Sequence, residues 1–480
     1  MVILICATIL VFSYFGYPPQ GNNDGAWFIV PGINYALTDK LENPIDWGQS
    51  ELRLGNGRFL SYPPLFPLFV SLFIFPSSNL PFSSQIFIAI GIINSLVIIL
   101  SALVLYKVAT INDKRLDWLM AIIICASLFL IFRASWSFNG RPEILVRLFF
   151  TIGFLWALSV KKPWLLVGGL GLLLGLTAAT HVLAPIIFFA LILFLFSLKF
   201  DFWTSIKHIS LTSIIGLLSF ITVMQLSPFG IIETLGGIYQ HGRLMLDRLV
   251  PGRSIFSFLA NPNIILYSAV GFILIFFGIR FFRQTLSSQK LASPSLLFSS
   301  SLLAFVYAAF VIIDVRNYYI APFVLLIFCA ALYYIAHVRN SRLITYSIVS
   351  FLALLVIFSL KNIALFPFFL KDGMSLSFAN SKVREIVSQS PGKPIMLGGS
   401  HLWTLSEEYN RMVMDIPHSG INLGDYVYFL EEEEIPIRPE KIETCALRHD
   451  FYVSQIPKIF GIPVARAIPG YGFAAYECRS

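Results

Sequence analysis

Apolar runs separated by short polar breaks fill most of the chain. The first covers residues 1–16, and others fall at about 85–107, 117–133, 143–160, 164–180, 182–198, 208–227, 264–280, 295–313, 318–336 and 343–360. A helix needs about 20 apolar residues to cross a bilayer, so the pattern predicts eleven spans. Two segments break the rhythm. Residues 17–84 form a long first loop, in which Pro64–Phe75 is apolar but too short to span and suits a helix lying along the interface. Residues 228–263 hold IIETLGGIYQHGRLMLDRL, apolar at helical spacing with His241, Arg243, Asp247 and Arg248 between, which reads as a surface helix.

From about residue 375 the pattern changes again. Strand-like runs at 394–397, 426–430 and 472–476 alternate with turn residues and a helix-like SKVREIVSQ. The expected architecture is a polytopic α-helical membrane protein with a small C-terminal α/β domain. Residues 1–370 would be the transmembrane domain, with its first outer loop at 17–84, and residues 371–480 the soluble outer domain.

Composition strengthens the membrane reading. Hydrophobic residues make up 57% of the chain and charged residues 12%, half the charged share of an ordinary globular protein. The net charge of +8 needs no nucleic-acid partner, because basic residues mark the cytoplasmic ends of spans. With the long first loop outside, the cytoplasmic connections near 107–117, 161–162, 199–207, 280–290 and 339–342 carry twelve basic residues against three acids. Five cysteines remain: Cys6, Cys125 and Cys329 lie in apolar runs, and Cys445 and Cys478 in the polar tail. Those last two could pair on an oxidising side of the membrane, although sequence does not give their geometry. Glu431–Glu434 reads as a solvated face rather than a metal site.

The spans hold few ionisable residues, with Arg147 and His181 the main exceptions. Ion-coupled transporters keep acids or bases at mid-membrane depth, so this distribution disfavours transport. Polar residues gather at the outer face instead: Asp24, Arg58, Arg141, Glu143, His181 and Arg316 among them. Arginine grips phosphate through a rigid donor fork, and an acid can take the proton from an attacking hydroxyl. Each residue also has a plainer reading. Asp24 suits an N-cap for a helix beginning at Gly25. Arg141-Pro142-Glu143 is ordinary helix-start chemistry. His181 fits a satisfied polar group at a span junction, and Arg316 a surface pair with Asp314.

Taken in order, these pieces resemble the membrane-embedded glycosyltransferases of the C-type fold, the superfamily of protein O-mannosyltransferases and bacterial aminoarabinose transferases (glycosyltransferase family 39-like). The matching features are Asp24 in the first outer loop, Pro63-Pro64-Leu65 opening an interfacial helix and Glu143 in Arg-Pro-Glu at the start of a span. Gly175–His181, GLTAATH, follows, and then Arg316-x-Tyr318-Tyr319-x-x-Pro322 leading into a late span. The chain departs from the pattern at Gly25, where relatives commonly place a second acid after the first, and at Tyr62, where a Lys often precedes Pro-Pro-Leu; Arg58 is the cation upstream that would stand in.

The resemblance implies sugar transfer from a polyprenyl-phosphate donor to a glycan, lipid or protein acceptor at the outer face of the plasma (inner) membrane. Asp24 would be the general base and Glu143 the second outer acid. Arg58, Arg141, His181, Arg316 and Tyr319 would bind the lipid phosphate and donor. Single displacement at the anomeric carbon would invert it. No cofactor is evident; acids and His181 are residue types that a divalent metal can use, but no ligand spacing is visible. A transporter or flippase of lipid-linked sugars is the alternative reading.

Overall fold

The structure, a computed structural model, describes residues 2–16, 23–42, 62–80, 82–110, 118–136, 141–249, 376–397 and 425–431. It also describes five residues between 325 and 332 and the short stretches 412–414, 445–451, 458–459, 462–463 and 473–478. The first ten helices run α1 (Val2–Gly16), α2 (Asn23–Thr38), α3 (Leu65–Ser71), α4 (Phe82–Ala109), α5 (Trp118–Trp136), α6 (Glu143–Ser159), α7 (Pro163–Ala178), α8 (Ala184–Lys199), α9 (Phe202–Gln225) and α10 (Gly230–Leu249).

Helix starts follow local chemistry. Pro142 stands at the N-cap of α6, and Pro163 opens α7, where a missing N–H costs nothing. Asp201 caps α9 by accepting a hydrogen bond from Thr204 N at 3.0 Å. Helix ends are also served: Lys199 Nζ donates to the carbonyl of Ala157 and, at 3.2 Å, to that of Val160, at the C-terminus of α6.

Among the described residues, Ser84–Ala109 and Phe202–Gln225 are long and apolar enough to cross a membrane on length and composition. Shorter apolar helices accompany them, including Met120–Phe132, Pro163–Ala178 and Ala184–Ser197. The spans expected at 264–280, 295–313 and 343–360 lie outside the described residues. Of the one at 318–336, Leu325, Leu326, Phe328, Cys329 and Leu332 are helical and buried. They join a large apolar core built from α1 and α4–α8, in which Phe150 meets Phe188 edge-on at 6.2 Å.

Helices α7 and α9 approach through small residues. A Cβ on Gly175 would lie 2.4 Å from Gly216 O and 2.8 Å from Phe220 N, and one on Gly171 would lie 2.9 Å from Thr212 O. Only glycine permits such backbone contact.

The first loop carries regular structure. Helix α2 contains Pro31 and packs on the short α3. The fit is close at Gly32, where a Cβ would meet Pro67 O at 2.6 Å. Helix α10 occupies the stretch expected to be a surface helix, with Ile232 and Tyr239 exposed and Thr234 buried.

The C-terminal part begins with α11 (Leu376–Ser388). Strands follow: β1 (Ile395–Leu397), β2 (Met412–Met414), β3 (Tyr426–Glu431), β4 (Cys445–Phe451), β5 (Lys458–Ile459), β6 (Ile462–Pro463) and β7 (Phe473–Cys478). Five of them form a sheet in the order β2-β1-β3-β7-β4, and β5 pairs with β6. Strand β1 is parallel to β2 and β3, while β7 is antiparallel to both β3 and β4. Cys445 and Cys478 face each other across β4 and β7 and form a disulfide. Glu477 is held by Lys393 and by Arg448, whose Nε donates to it at 2.7 Å. One apolar cluster runs from Phe28, Ile29 and Ile33 of α2 through Phe66, Ile90 and Ile144 to Val383 and Ile386 of α11 and Ile395, Phe429 and Ala475 of the sheet.

Candidate active site

Four segments distant in sequence meet at the N-terminal end of α6. Arg141 and Glu143 come from the helix start, His181 from the turn joining α7 to α8, Tyr62 from the residue before Pro63-Pro64, and Phe28 from α2. The Pro-Pro-Leu segment is tied down by physical necessity. Prolines 63 and 64 have no N–H to donate. The first N–H after them, on Leu65, donates to Ala179 O at 3.2 Å. Ala179 is the C-cap of α7, where helix carbonyls lack intrahelical partners. Residue 65 is thereby fixed two positions from His181.

Arg141, Glu143 and His181 are each about 2% exposed. Arg141 Nε donates to Glu143 Oε2 at 3.1 Å and Nη2 to Oε1 at 3.0 Å. Its guanidinium lies 5.6 Å from the centre of the Phe28 ring, within cation–π range. Phe28 meets Tyr62 edge-on at 4.9 Å, and Tyr62 lies 6.2 Å from the His181 ring. Arg147, one turn along α6, donates from Nε to Glu143 O at 3.2 Å, and Thr151 Oγ1 donates to Arg147 O at 2.7 Å.

His181 Nδ1 accepts a hydrogen bond from Leu183 N at 3.2 Å. An acceptor nitrogen carries no proton, so the neutral ring holds its hydrogen on Nε2. That nitrogen is 3.7 Å from Glu143 Oε1. Burial pushes the imidazole down to about 4, and Arg141 adds to the effect, while Glu143 opposes it. The histidine is therefore neutral at physiological pH and turns an N–H toward the acid.

Of the residues expected at the site, the structure brings together Arg141, Glu143 and His181. Asp24 lies in the first turn of α2, one turn before Phe28. Arg58, Arg316 and Tyr319 lie outside the described residues. Phe28 and Tyr62 come from the first loop, and neither was expected individually as a site residue. Arg147 could have been linked to it by its i,i+4 spacing from Glu143. Glu143 and His181 are residue types that a metal uses, but among the described residues no group of three His, Cys, Asp or Glu could hold one.

The fold, a mostly helical bundle with a first-loop helix and a C-terminal sheet, is similar to that of the C-type membrane glycosyltransferases. One solved structure bears out the fold. ArnT from Cupriavidus metallidurans in the apo state aligns over 99% of this chain and 97% of its own, with a TM-score of 0.50 and 11% identity. The Archaeoglobus fulgidus oligosaccharyltransferase complex with Zn and sulfate aligns over 86% of this chain at 14% identity and a TM-score of 0.45. The archaeal oligosaccharyltransferase AglB from the same organism, in complex with an inhibitory peptide and a dolichol-phosphate, aligns at 13% identity and 0.47. This chain spans 62% and 64% of those two proteins. No family model and no curated protein matches the sequence.

Proposed function

We propose that the protein is a glycosyltransferase that moves a sugar from a polyprenyl-phosphate donor to an acceptor at the outer face of the plasma membrane. The observation that carries this reading is the convergence of α2, the Pro-Pro-Leu segment and the Arg-Pro-Glu helix start on one buried acid–base cluster. The fold shared with ArnT supports it. Residues 1–370, with eleven spans, form the transmembrane part, and residues 371–480 the outer domain. The Cys445–Cys478 disulfide supports an oxidising, outer side for that domain.

In the proposed reaction the acceptor oxygen or nitrogen forms a bond to the anomeric carbon as the bond from that carbon to the carrier phosphate breaks. The electron pair leaves with the phosphate, and the acceptor's proton passes to Asp24. One displacement inverts the anomeric centre. Arg58 and Arg316, with Tyr319, offset the charge gathering on the phosphate. The Glu143 carboxylate, held by Arg141, orients the acceptor beside His181, whose neutral Nε2–H adds a donor without adding charge.

The test is transfer by purified protein in detergent with a panel of polyprenyl-phosphate sugars. Wild type should release free polyprenyl phosphate. Asp24→Asn should release none while staying folded, and Glu143→Gln should be impaired. A fully active Asp24→Asn protein would overturn the choice of base. Failure to turn over any such donor, with movement of lipid-linked sugar across liposomes, would favour a transporter.

A further inference from the structure

The ends of the helices opposite the site carry lysines. Lys107 lies near the end of α4, Lys161 and Lys162 form the turn from α6 to α7, Lys199 ends α8, and Lys207 follows the first turn of α9. Three contacts gather these ends on one surface. Lys107 Nζ donates to Ser159 Oγ at 2.7 Å, Trp156 Nε1 donates to Leu165 O at 3.1 Å, and Ser205 Oγ donates to Phe196 O at 3.3 Å. The opposite end of α6 holds Glu143, about 25 Å away at 1.5 Å per residue, so this surface is separate from the site.

All five lysines are exposed, but they do different work. Lys199 serves the carbonyls at the end of α6, and Lys107 holds Ser159. Lys161, Lys162 and Lys207 make no hydrogen bond or ion pair among the described residues, and Lys162 provides no side-chain cap to α7. Asp201, the acid described at this end, is committed to capping α9. Gly171 faces Thr212 and Gly175 faces Gly216 across the α7–α9 contact. That register sets Lys207 about one helical turn along from Lys162.

The neighbourhood is built for lipid. Trp118, Trp164 and Trp203 are 73%, 68% and 78% exposed at these same helix ends, the depth at which tryptophan marks a membrane–water interface. Beside and beyond Lys207, α9 exposes Ile206, Ile214 and Leu217, an apolar strip along which acyl chains can lie. We propose that this face binds an acidic phospholipid of the surrounding leaflet, its headgroup phosphate held by Lys161, Lys162 and Lys207 and its chains running along α9. A soluble anion would leave the tryptophans and the apolar strip unused.

The proposal needs the bundle to be in a membrane but does not depend on the transfer reaction, so either can fail alone. The experiment is native mass spectrometry of the full chain in detergent with equal added phosphatidylglycerol and phosphatidylcholine. Wild type should retain phosphatidylglycerol about tenfold more than phosphatidylcholine, given the attraction of each surface lysine for acidic lipid. The Lys161→Gln/Lys162→Gln variant should lose that preference with its melting temperature unchanged. Lys207→Gln should weaken it several-fold, and Lys382→Gln, on α11, should keep it. Equal retention of the two lipids by wild type would overturn the proposal. So would an undiminished preference in the Lys161/Lys162 and Lys207 variants.

Discussion

Arg141 reaches forward two residues to clasp Glu143 through both Nε and Nη2, and both side chains are about 2% exposed. Such a pair stabilises only while both members are present, because the survivor becomes a buried charge without compensation. Arg141→Met should therefore cost about 3–5 kcal/mol, read as a large fall in melting temperature in detergent. Arg141→Lys should be intermediate, because an ammonium cannot match the two-pronged geometry. Asp24→Asn should leave the melting temperature near wild type and remove transfer. The pair of measurements separates a residue that holds the site from one that works in it.

The His181 imidazole predicts an acid limb. Unfolded, it titrates near 6.5; folded, it titrates at about 4 because burial resists the charged ring. Between those values the unfolded chain binds more protons, so stability rises with pH from about 4 to about 6.5 and is level above. Thermal unfolding from pH 4 to pH 8 should show that slope, and His181→Gln should flatten it. An unchanged slope in the variant would assign the limb to another group.

Two glycines of α7 give opposite results for the same substitution. A Cβ at Gly175 would strike backbone atoms of α9, while one at Gly168 meets nothing within 4 Å. Gly175→Ala should destabilise by about 1–3 kcal/mol. Gly168→Ala should stabilise by about 0.5–1 kcal/mol through reduced backbone freedom. Melting temperatures of the two variants check both signs.

The Cys445–Cys478 bond closes a separation of 33 residues, and Cys445→Ser should cost the C-terminal sheet about 3–4 kcal/mol. The protease resistance of the C-terminal sheet should drop in that variant and, for wild type, in the presence of reductant. Cys329→Ser, inside the bundle, should not alter the response to reductant.

The parts of the fold written in local chemistry were legible. Pro142 and Glu143 announce the start of α6, expected at residue 143 and found at Glu143. Helix α9 begins at Phe202 rather than near 208, because the charges at Lys207 and His208 hid a helix start that Asp201 and Thr204 encode. Helix α2 was the harder case. Gly25, Pro31 and Gly32 interrupt its periodicity, and Gly32 is explained only by the approach of Pro67. The helix starts at Asn23, so Asp24 belongs to the first turn instead of capping a helix from Gly25. At the site, the charged members could be named from their types and spacing. Phe28 and Tyr62 could not, since their role comes from contacts between segments far apart in sequence. The pairing of Cys445 with Cys478 likewise depends on the β4–β7 register.

Strand β7 enters the sheet between β3 and β4, and its Ala475 shares an apolar cluster with Phe28 and Ile29 of α2. During synthesis the ribosome delivers α2 early and β7 far later. Until then the α2 side of the cluster lacks its final cover, and the surrounding lipid is the apolar phase at hand to shield it. Assembly of the wall beside Arg141 is thus completed from the far end of the polypeptide. A nascent chain stalled before residue 473 would carry every charged residue of the described cluster, yet without the packing that seats the helix beside them.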